Sequence, residues 1–383
     1  MKFDFVVFGA TGMQGRIVSR DLLISGYSVL LCGRDKKRLH KLLKNYKKSA
    51  YEYVDLQNVN YAAKIIKKSG ADVVVCCVEG DWNFNGLKAA MAADAHFIDL
   101  GSEIWMTKKQ FDLHKTLKKK NLIAITGCGS VPGVGNVMLR HAAAELDKLK
   151  SIEVGFAWDS NIKKFVVPFS IQSITEEFLD PAPVVIGGKF RKVVPLKTIR
   201  EATHRVIGRQ KEFLVRHPEQ YTFYKYFKRQ GLENVHFYAG FPPHSFDKIM
   251  ALIDLGLASK KEIDFRGLKI KPIDFVTEVL KDLKFPKSYK ETENLWIKAV
   301  GEKNNKKKEI LMECIVPTLK GWEDAGCNVD TGMPASIMAQ MVKNGVIDER
   351  GSFAPEAVVP PEPFFKELRK RGLKVLENGK AIN

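Results

Sequence analysis

The sequence predicts an α/β protein: a doubly wound parallel sheet, a second α+β domain, and a C-terminal segment that returns to the first. Three observations carry this. Short apolar runs alternate with helix-period segments from residue 3 to residue 126, the order that builds parallel strands with crossover helices. The first run feeds a glycine-rich turn, "GATGMQG" at residues 9–15, which opens the first helix. Beyond residue 150 the pattern becomes strands broken by turns, and from residue 334 it is helical again. Divisions are expected at 1–130, 131–325 and 326–383.

Apolar runs at 3–8, 28–32, 50–54, 72–78, 95–100 and 121–126 read as strands buried on both faces. Helix-period segments occupy 13–25, 36–46, 59–69, 83–93 and 107–120, with Gly26 and Gly70 just past two of them as helix stops. The order is that of a Rossmann-type sheet. In the second domain "SIEVGFAWD", "FVVPFSIQSIT" and "PVVIGGKFRKVVPL" read as strands, and "LWIKAVGEKNNKKKEILMECIVP" as a hairpin across a polar tip. Helices are expected at 209–230, 245–257 and 272–283. The closing "PASIMAQMVKNG" and "PPEPFFKELRKRG" are helical and should pack back across both domains.

At 383 residues, 45% hydrophobic and 28% charged, the chain has the composition of a globular protein with two cores. No apolar run approaches the ~20 residues of a membrane span, and Asp4 interrupts the first run before a signal peptide could form. The six cysteines show no C-x-x-C pair, and Cys76 and Cys77 are adjacent in an apolar run. They read as reduced core thiols, which fits a reducing cytoplasm; no metal site is expected. The formal charge of +18 raises a nucleic-acid surface as one reading. The lysines are scattered over helix faces and one turn, without an aromatic–basic platform, so no nucleic-acid partner is expected.

The turn has a physical reason to bind pyrophosphate. Gly9 permits the tight bend, Gly12 lets the backbone approach, and Gly15 lets the helix sit close to the sheet. Thr11 offers a hydroxyl, and Met13 and Gln14 carry the first helical amides. Its spacing is G-x-x-G-x-x-G, one residue longer than the usual fingerprint, but the strand before it and the helix after it point to a dinucleotide. The second strand ends "LLCGRDKKR": Cys32 stands where an NAD site usually has an acid, and Arg34 follows. A guanidinium there suits a 2′-phosphate, so NADP is the expected cofactor, NAD the alternative if Asp35 takes the ribose. Asp55 is placed beside the adenine, and Val78, with Glu79, near the nicotinamide ribose.

A second glycine-rich turn, "GCGSVPG" at 127–133, follows the sixth strand at the edge where α/β ligands bind. Gly129 and Pro132 are expected beside cofactor and substrate, and its amides could hold a carboxamide or carboxylate. Cys128 reads as lining.

With "GATGMQGRIV", "CGRDKKRL", "NGLKAAMAADAHFIDLGSE", "GCGSVPGVGNVML", "ITEEFLDPAPVVIGGKFRKVVPL" and "TGMPASIMAQMVKNGVI … PPEPFFKELRKRGLKV", the chain resembles the saccharopine dehydrogenase (saccharopine reductase) family, which includes lysine 6-dehydrogenases and carboxynorspermidine-type enzymes. The resemblance implies hydride transfer at the CH–NH bond of an amino acid of lysine-pathway type, a small-molecule substrate, and a homodimer formed through the middle-domain sheet. Relatives carry an arginine and a glycine where this chain has Gly240 and Pro243, while His244 remains. His244 is a proton-transfer candidate, or a histidine that only caps a helix; Glu103 is the second candidate. Asn85 stands where relatives often have histidine or lysine, and with Trp82 it is a candidate for the substrate pocket, with core packing the plain alternative for Trp82. Asp99 reads as a cap. Glu176 and Glu177 read as inter-strand or hinge residues, and Arg191, Arg200 and Arg266 as unranked carboxylate binders. The alternatives are a lysine 6-dehydrogenase-like deaminase, which would release ammonia, and an NADP-holding sensor without turnover.

Overall fold

In the computed structural model, residues 2–43, 48–167, 170–280, 283 and 286–383 are described. The ends of the helices expected at 36–46 and 272–283, and positions 168–169 of "FVVPFSIQSIT", fall partly outside them. The first six strands are β1 (Phe5–Phe8), β2 (Val29–Gly33), β3 (Ser49–Tyr53), β4 (Val73–Cys76), β5 (His96–Asp99) and β6 (Ile123–Ile125). Their order is 3-2-1-4-5-6, all parallel, and the strand Gly351–Phe353 adds a seventh, parallel to β6. Alternation along each strand sorts the core. Phe5, Val7, Leu31, Val75 and Ile98 face the helices Met13–Ile24 and Val329–Lys343, while Val6, Phe8, Leu30, Val74 and Phe97 face Val59–Ser69 and Asp81–Ala92. Each such side chain, fully buried, is worth roughly 1.5–3 kcal/mol, so the sheet requires cover on both sides. The helix Val329–Lys343 supplies part of it.

The second sheet has ten strands, antiparallel except where Asn234–Phe241 runs parallel to β7 (Lys148–Ser160). Its longest ladder is the hairpin Glu291–Lys303 and Lys306–Pro317, turned through Asn304 and Asn305, both at positive φ. The segment expected to be one helix at 209–230 is a strand, Gly208–Leu214, followed by the helix Glu219–Phe227. That strand is ordered by pairing with Arg200–His204 on one side and Asn234–Phe241 on the other, a tertiary effect that local propensity does not carry. The strand expected in "FVVPFSIQSIT" is instead, from Ile171 to Leu179, a helix capped by the Ser170 side chain. After the helix Val329–Lys343, the chain passes through Gly351–Phe353 of the first sheet and the helix Pro361–Lys370, then enters the second sheet as Lys374–Glu377 against Lys306–Pro317.

Among the described residues no helix is long and apolar enough to cross a membrane. All six cysteines are free.

Candidate active site

β1 ends at Phe8, and the chain turns at Gly9, whose carbonyl accepts from the Gly12 amide (2.9 Å). A Cβ on Gly15 would collide with the Gly9 carbonyl, and one on Gly9 would meet the Cys77 carbonyl at 2.7 Å and Val78 Cγ1 at 2.8 Å. The helix Met13–Ile24 starts on Gly12 with no side-chain cap, so its first-turn amides face the loop unaided, as an anion site requires. Val78 lies behind the turn. At the end of β2 the Asp35 carboxylate accepts the Arg38 amide at 3.0 Å and caps its own helix, while the Arg38 guanidinium donates to the Thr11 carbonyl at 3.2 Å. Arg34 is exposed at the strand end. Asp55 folds its own turn by accepting the Gln57 amide at 2.9 Å. The cradle could hold a dinucleotide pyrophosphate, and Arg34 and Arg38 are charged groups at the neighbouring end of β2. Arg38 was legible only as part of a basic run.

The second glycine-rich turn is held by Asp99. Its carboxylate accepts from Gly101 N (2.7 Å), Thr126 Oγ1 (2.9 Å), Gly127 N (3.1 Å) and Gln110 Nε2 (2.7 Å), and its carbonyl accepts from Cys128 N (2.8 Å). Burial pushes the Asp99 carboxyl up against the pull of these donors. Gly133 N donates to Asn136 Oδ1 at 2.8 Å, and a Cβ on Gly133, at φ +138°, would collide with the Gly129 carbonyl. The amides of Gly127, Cys128 and Gly133 are therefore committed internally, and the turn is a rigid wall rather than an open anion nest at those positions. Cys128 corrects the expectation of a lining thiol: it is fully buried, with Sγ toward the Ile125 carbonyl at 3.4 Å.

Between this wall, the second sheet and the start of the helix Val329–Lys343 lies a cavity of about 270 Å³. Gln14 lines it from the first glycine-rich turn, Gly129 and Pro132 from the second, Trp158, Glu177, His217, Glu291 and Glu293 from the second domain, and Asp330 and Thr331 from the returning helix. Two contacts tie the returning segment to the two glycine-rich turns: Gln14 Nε2 donates to Asn328 Oδ1 (3.1 Å), and Thr331 Oγ1 lies 3.3 Å from Ser130 Oγ. Glu79 stands at the exposed mouth.

The wall is acidic. Glu293 and Asp330 are hydrogen-bonded to one another, and burial pushes both up, Asp330 to about 7. Asp330 Oδ1 also accepts from Thr331 Oγ1 at 3.0 Å, while Oδ2 is buried without a partner. Glu291 holds the Cys327 amide (2.7 Å) and the Tyr289 hydroxyl (3.0 Å), and burial raises it too. Burial pushes Glu177 to about 7 in spite of nearby His217. His217 stacks on Phe237, centroids 4.0 Å apart, with Nδ1 3.2 Å from Glu219 Oε2. Burial opposes its charge, but the Glu219 carboxylate, with Glu177 and Glu103 beyond it, raises His217 above the ordinary histidine range.

The expected site residues divide accordingly. Gln14, Gly129 and Pro132 meet in the cavity wall. Glu103 lies at the start of the helix Ile104–Asp112, next to the lining residue Ser102, with the Arg216 guanidinium 3.4 Å away. His244 sits one layer behind, edge-on to Trp158 (6.2 Å), with Nδ1 3.9 Å from Asp159 Oδ1; burial lowers it. Asn85 donates to the Leu56 carbonyl at 2.9 Å, and Trp82 is 40% exposed on the helix Asp81–Ala92; neither belongs to the wall among the described residues. Arg200 is taken by Glu153 and Glu212 and lies over Tyr238, Arg191 is exposed on a hairpin, and Arg266 is exposed at a turn. Glu177 is the correction among the acids: it stands on a helix, in the cavity wall, rather than between strands. His217, Glu291, Glu293 and Asp330 were not singled out in the sequence.

Residues 5–125 match the saccharopine dehydrogenase NADP-binding domain, and residues 129–373 the saccharopine dehydrogenase C-terminal domain. The chain belongs to the saccharopine dehydrogenase family. It is thus an NAD(P)-dependent oxidoreductase acting on CH–NH bonds, and residues 5–125, which include the cradle at Gly9–Gly15, form its NADP(H)-binding domain. Carboxyaminopropylagmatine dehydrogenase of Synechocystis is 22% identical over 375 residues, 92% of this chain and 90% of that protein. The saccharopine dehydrogenase (L-Glu forming) of Saccharomyces cerevisiae shares the fold over the whole of both chains, with a TM-score of 0.79 at 14% identity.

Proposed function

We propose that this family member oxidises, or forms by imine reduction, the CH–NH bond of an amino-acid derivative with a polycationic arm. The carrying observation is the wall itself: Glu79, Glu177, Glu291, Glu293 and Asp330 line the cavity, with no lysine or arginine among the described lining residues. A saccharopine-like substrate would set its several carboxylates against a wall with no lysine or arginine to receive them, and a buried charge without a partner is costly. Ammonium or guanidinium nitrogens instead form charge-assisted bonds worth about 1.5–3 kcal/mol each. The Synechocystis relative, named for an agmatine-derived amine, supports the same reading.

When bound, the nicotinamide exchanges hydride with the substrate carbon. The chain's own contribution is to hold the pyrophosphate on the first-turn amides, to bring the substrate beside the rigid Gly129–Pro132 wall, and to neutralise its cationic arm. Free L-lysine is the second reading, because its ε-ammonium suits the same carboxylates; ammonia release would mark that reaction. The homodimer that the resemblance implies is carried as part of the proposal. Ile263, Phe265 and Leu268, exposed on a separate two-stranded sheet, and Phe275, exposed on the helix that follows it, are the surface a second copy would cover, and light scattering decides it.

The test is a panel of carboxyaminopropylagmatine, carboxynorspermidine, saccharopine and L-lysine with NADP+ and NAD+, read at the reduced-nicotinamide absorbance. Turnover of either polycationic compound with NADP+ is expected. Turnover of saccharopine alone would sink the reading.

A further inference from the structure

We infer that His217 is the acid–base group of the reaction and that Glu219 is its positioning residue. This rests on the CH–NH reading of the cavity given above.

Glu219 sets the constraint. It is fully buried, and its Oε1 meets no donor. Burying a carboxylate is costly unless a charge or strong donor compensates it. Its other oxygen, Oε2, meets His217 Nδ1 at 3.2 Å. That bond places the Nδ1 proton toward Glu219 and leaves Nε2 as the ring nitrogen free to exchange a proton. The ring cannot swing away, because it stacks on Phe237 with planes 12° apart, and its backbone amide donates to Gln220 Oε1 at 2.9 Å. Every feature needed for a proton carrier is present in one side chain: a fixed tautomer, a fixed plane and a place in the cavity wall.

The surroundings set the direction of its titration. Glu219 faces it from its own segment, Glu177 from the helix Ile171–Leu179, and Glu103 from the start of Ile104–Asp112. Arg216, the nearest guanidinium in sequence, is drawn to Glu103 (3.4 Å) and Asp180 (3.7 Å). His244 differs on each count: it stands behind Trp158, its Nε2 is buried without a partner, and 3.9 Å separates it from Asp159.

The step balances without any further reagent. In oxidation the substrate's secondary ammonium gives its proton to Nε2 of neutral His217, and the freed lone pair forms the C=N bond as hydride leaves the adjacent carbon. In reduction the imidazolium returns that proton to nitrogen, the C=N pair accepting it as the carbon gains hydride. Water restores the histidine after either step.

Three proteins are compared as full chains: wild type, His217→Asn and Glu219→Gln, each first checked for NADPH binding and thermal unfolding. With carboxyaminopropylagmatine and NADP+, His217→Asn should lower kcat at least 100-fold while the KM for NADP+ stays within twofold. Glu219→Gln should move the acid limb of the kcat/KM profile to lower pH by about one unit, since it removes the carboxylate that favours the imidazolium. His217→Gln serves if the asparagine variant does not fold. A kcat within threefold of wild type in the folded His217 variant, or an unmoved profile in Glu219→Gln, overturns the inference and leaves the CH–NH reading standing. If wild type turns over neither carboxyaminopropylagmatine nor carboxynorspermidine, the substrate reading fails, and the histidine is judged by its ring ¹⁵N titration. A midpoint above the ordinary histidine range that falls in Glu219→Gln supports the pair; an ordinary midpoint, unchanged in that variant, overturns it.

Discussion

Arg371 Nε donates to Asp21 Oδ1 at 2.8 Å, and both side chains are nearly excluded from solvent. Ser336 Oγ donates to the other oxygen of Asp21 at 2.6 Å. A residue of the first helix is thus tied to the helix Val329–Lys343 and to the end of Pro361–Lys370.

Breaking that pair leaves a buried charge alone. Arg371→Met should cost about 3–5 kcal/mol of stability, read by urea unfolding. Asp21→Asn added to it should recover much of the loss, because the stranded carboxylate is gone. A single variant as stable as wild type would show that the pair contributes nothing net.

Arg34→Glu should raise the Kd for NADPH ten- to a hundredfold, the loss of one charge-assisted bond of about 1.5–3 kcal/mol, and leave NADH binding nearly unchanged. Fluorescence titration with both cofactors decides it. Equal effects on the two would place the 2′-phosphate elsewhere, with Arg38 the next group to test.

The buried acids make the free protein sensitive to pH in a defined direction. Burial raises Glu177 and Asp330 to about 7, whereas an unfolded carboxyl titrates near 4. The folded state therefore holds protons that the unfolded state has lost. The stability this confers is complete below about pH 4 and disappears as pH rises through about 7. Glu177→Gln, which cannot ionise, should gain Tm relative to wild type progressively from pH 5 to pH 8. A difference that does not change with pH would refute the assignment.

Asp330→Asn should raise the KM of a polycationic amine by about ten- to a hundredfold, with a smaller change in kcat, since the wall binds the arm and not the reacting carbon. Wild-type affinity for such an amine should increase from pH 6 to pH 8, because the bound cation replaces the protons on Asp330 and Glu177. Affinity that is flat over this range would separate the arm from these carboxylates.

The first sheet was legible because its information is local: most of its strands are apolar runs, and two of its helix stops are marked by glycine, as at Gly70, whose φ is +64°; the edge strand Ser49–Tyr53 is only partly buried. The cofactor cradle was legible for the same reason, within seven consecutive residues. The second sheet was less so. Gly208–Leu214 reads as part of a helix until its neighbours on both sides are known. As a wall the acids escaped the sequence, for Glu177, Glu293 and Asp330 lie on three separate elements, His217 on a loop, and together they form no motif in one dimension. His244 was prominent in the chain only because its neighbours matched a known pattern, and the fold sets it behind Trp158.

The first sheet is completed by Gly351–Phe353, and one of its apolar faces is covered by Val329–Lys343. During synthesis these residues leave the ribosome long after β1–β6. The nucleotide-binding unit must therefore wait, half-clad and prone to stick, until the intervening domain has emerged. Here domain order along the chain is not the order in which domains can finish folding.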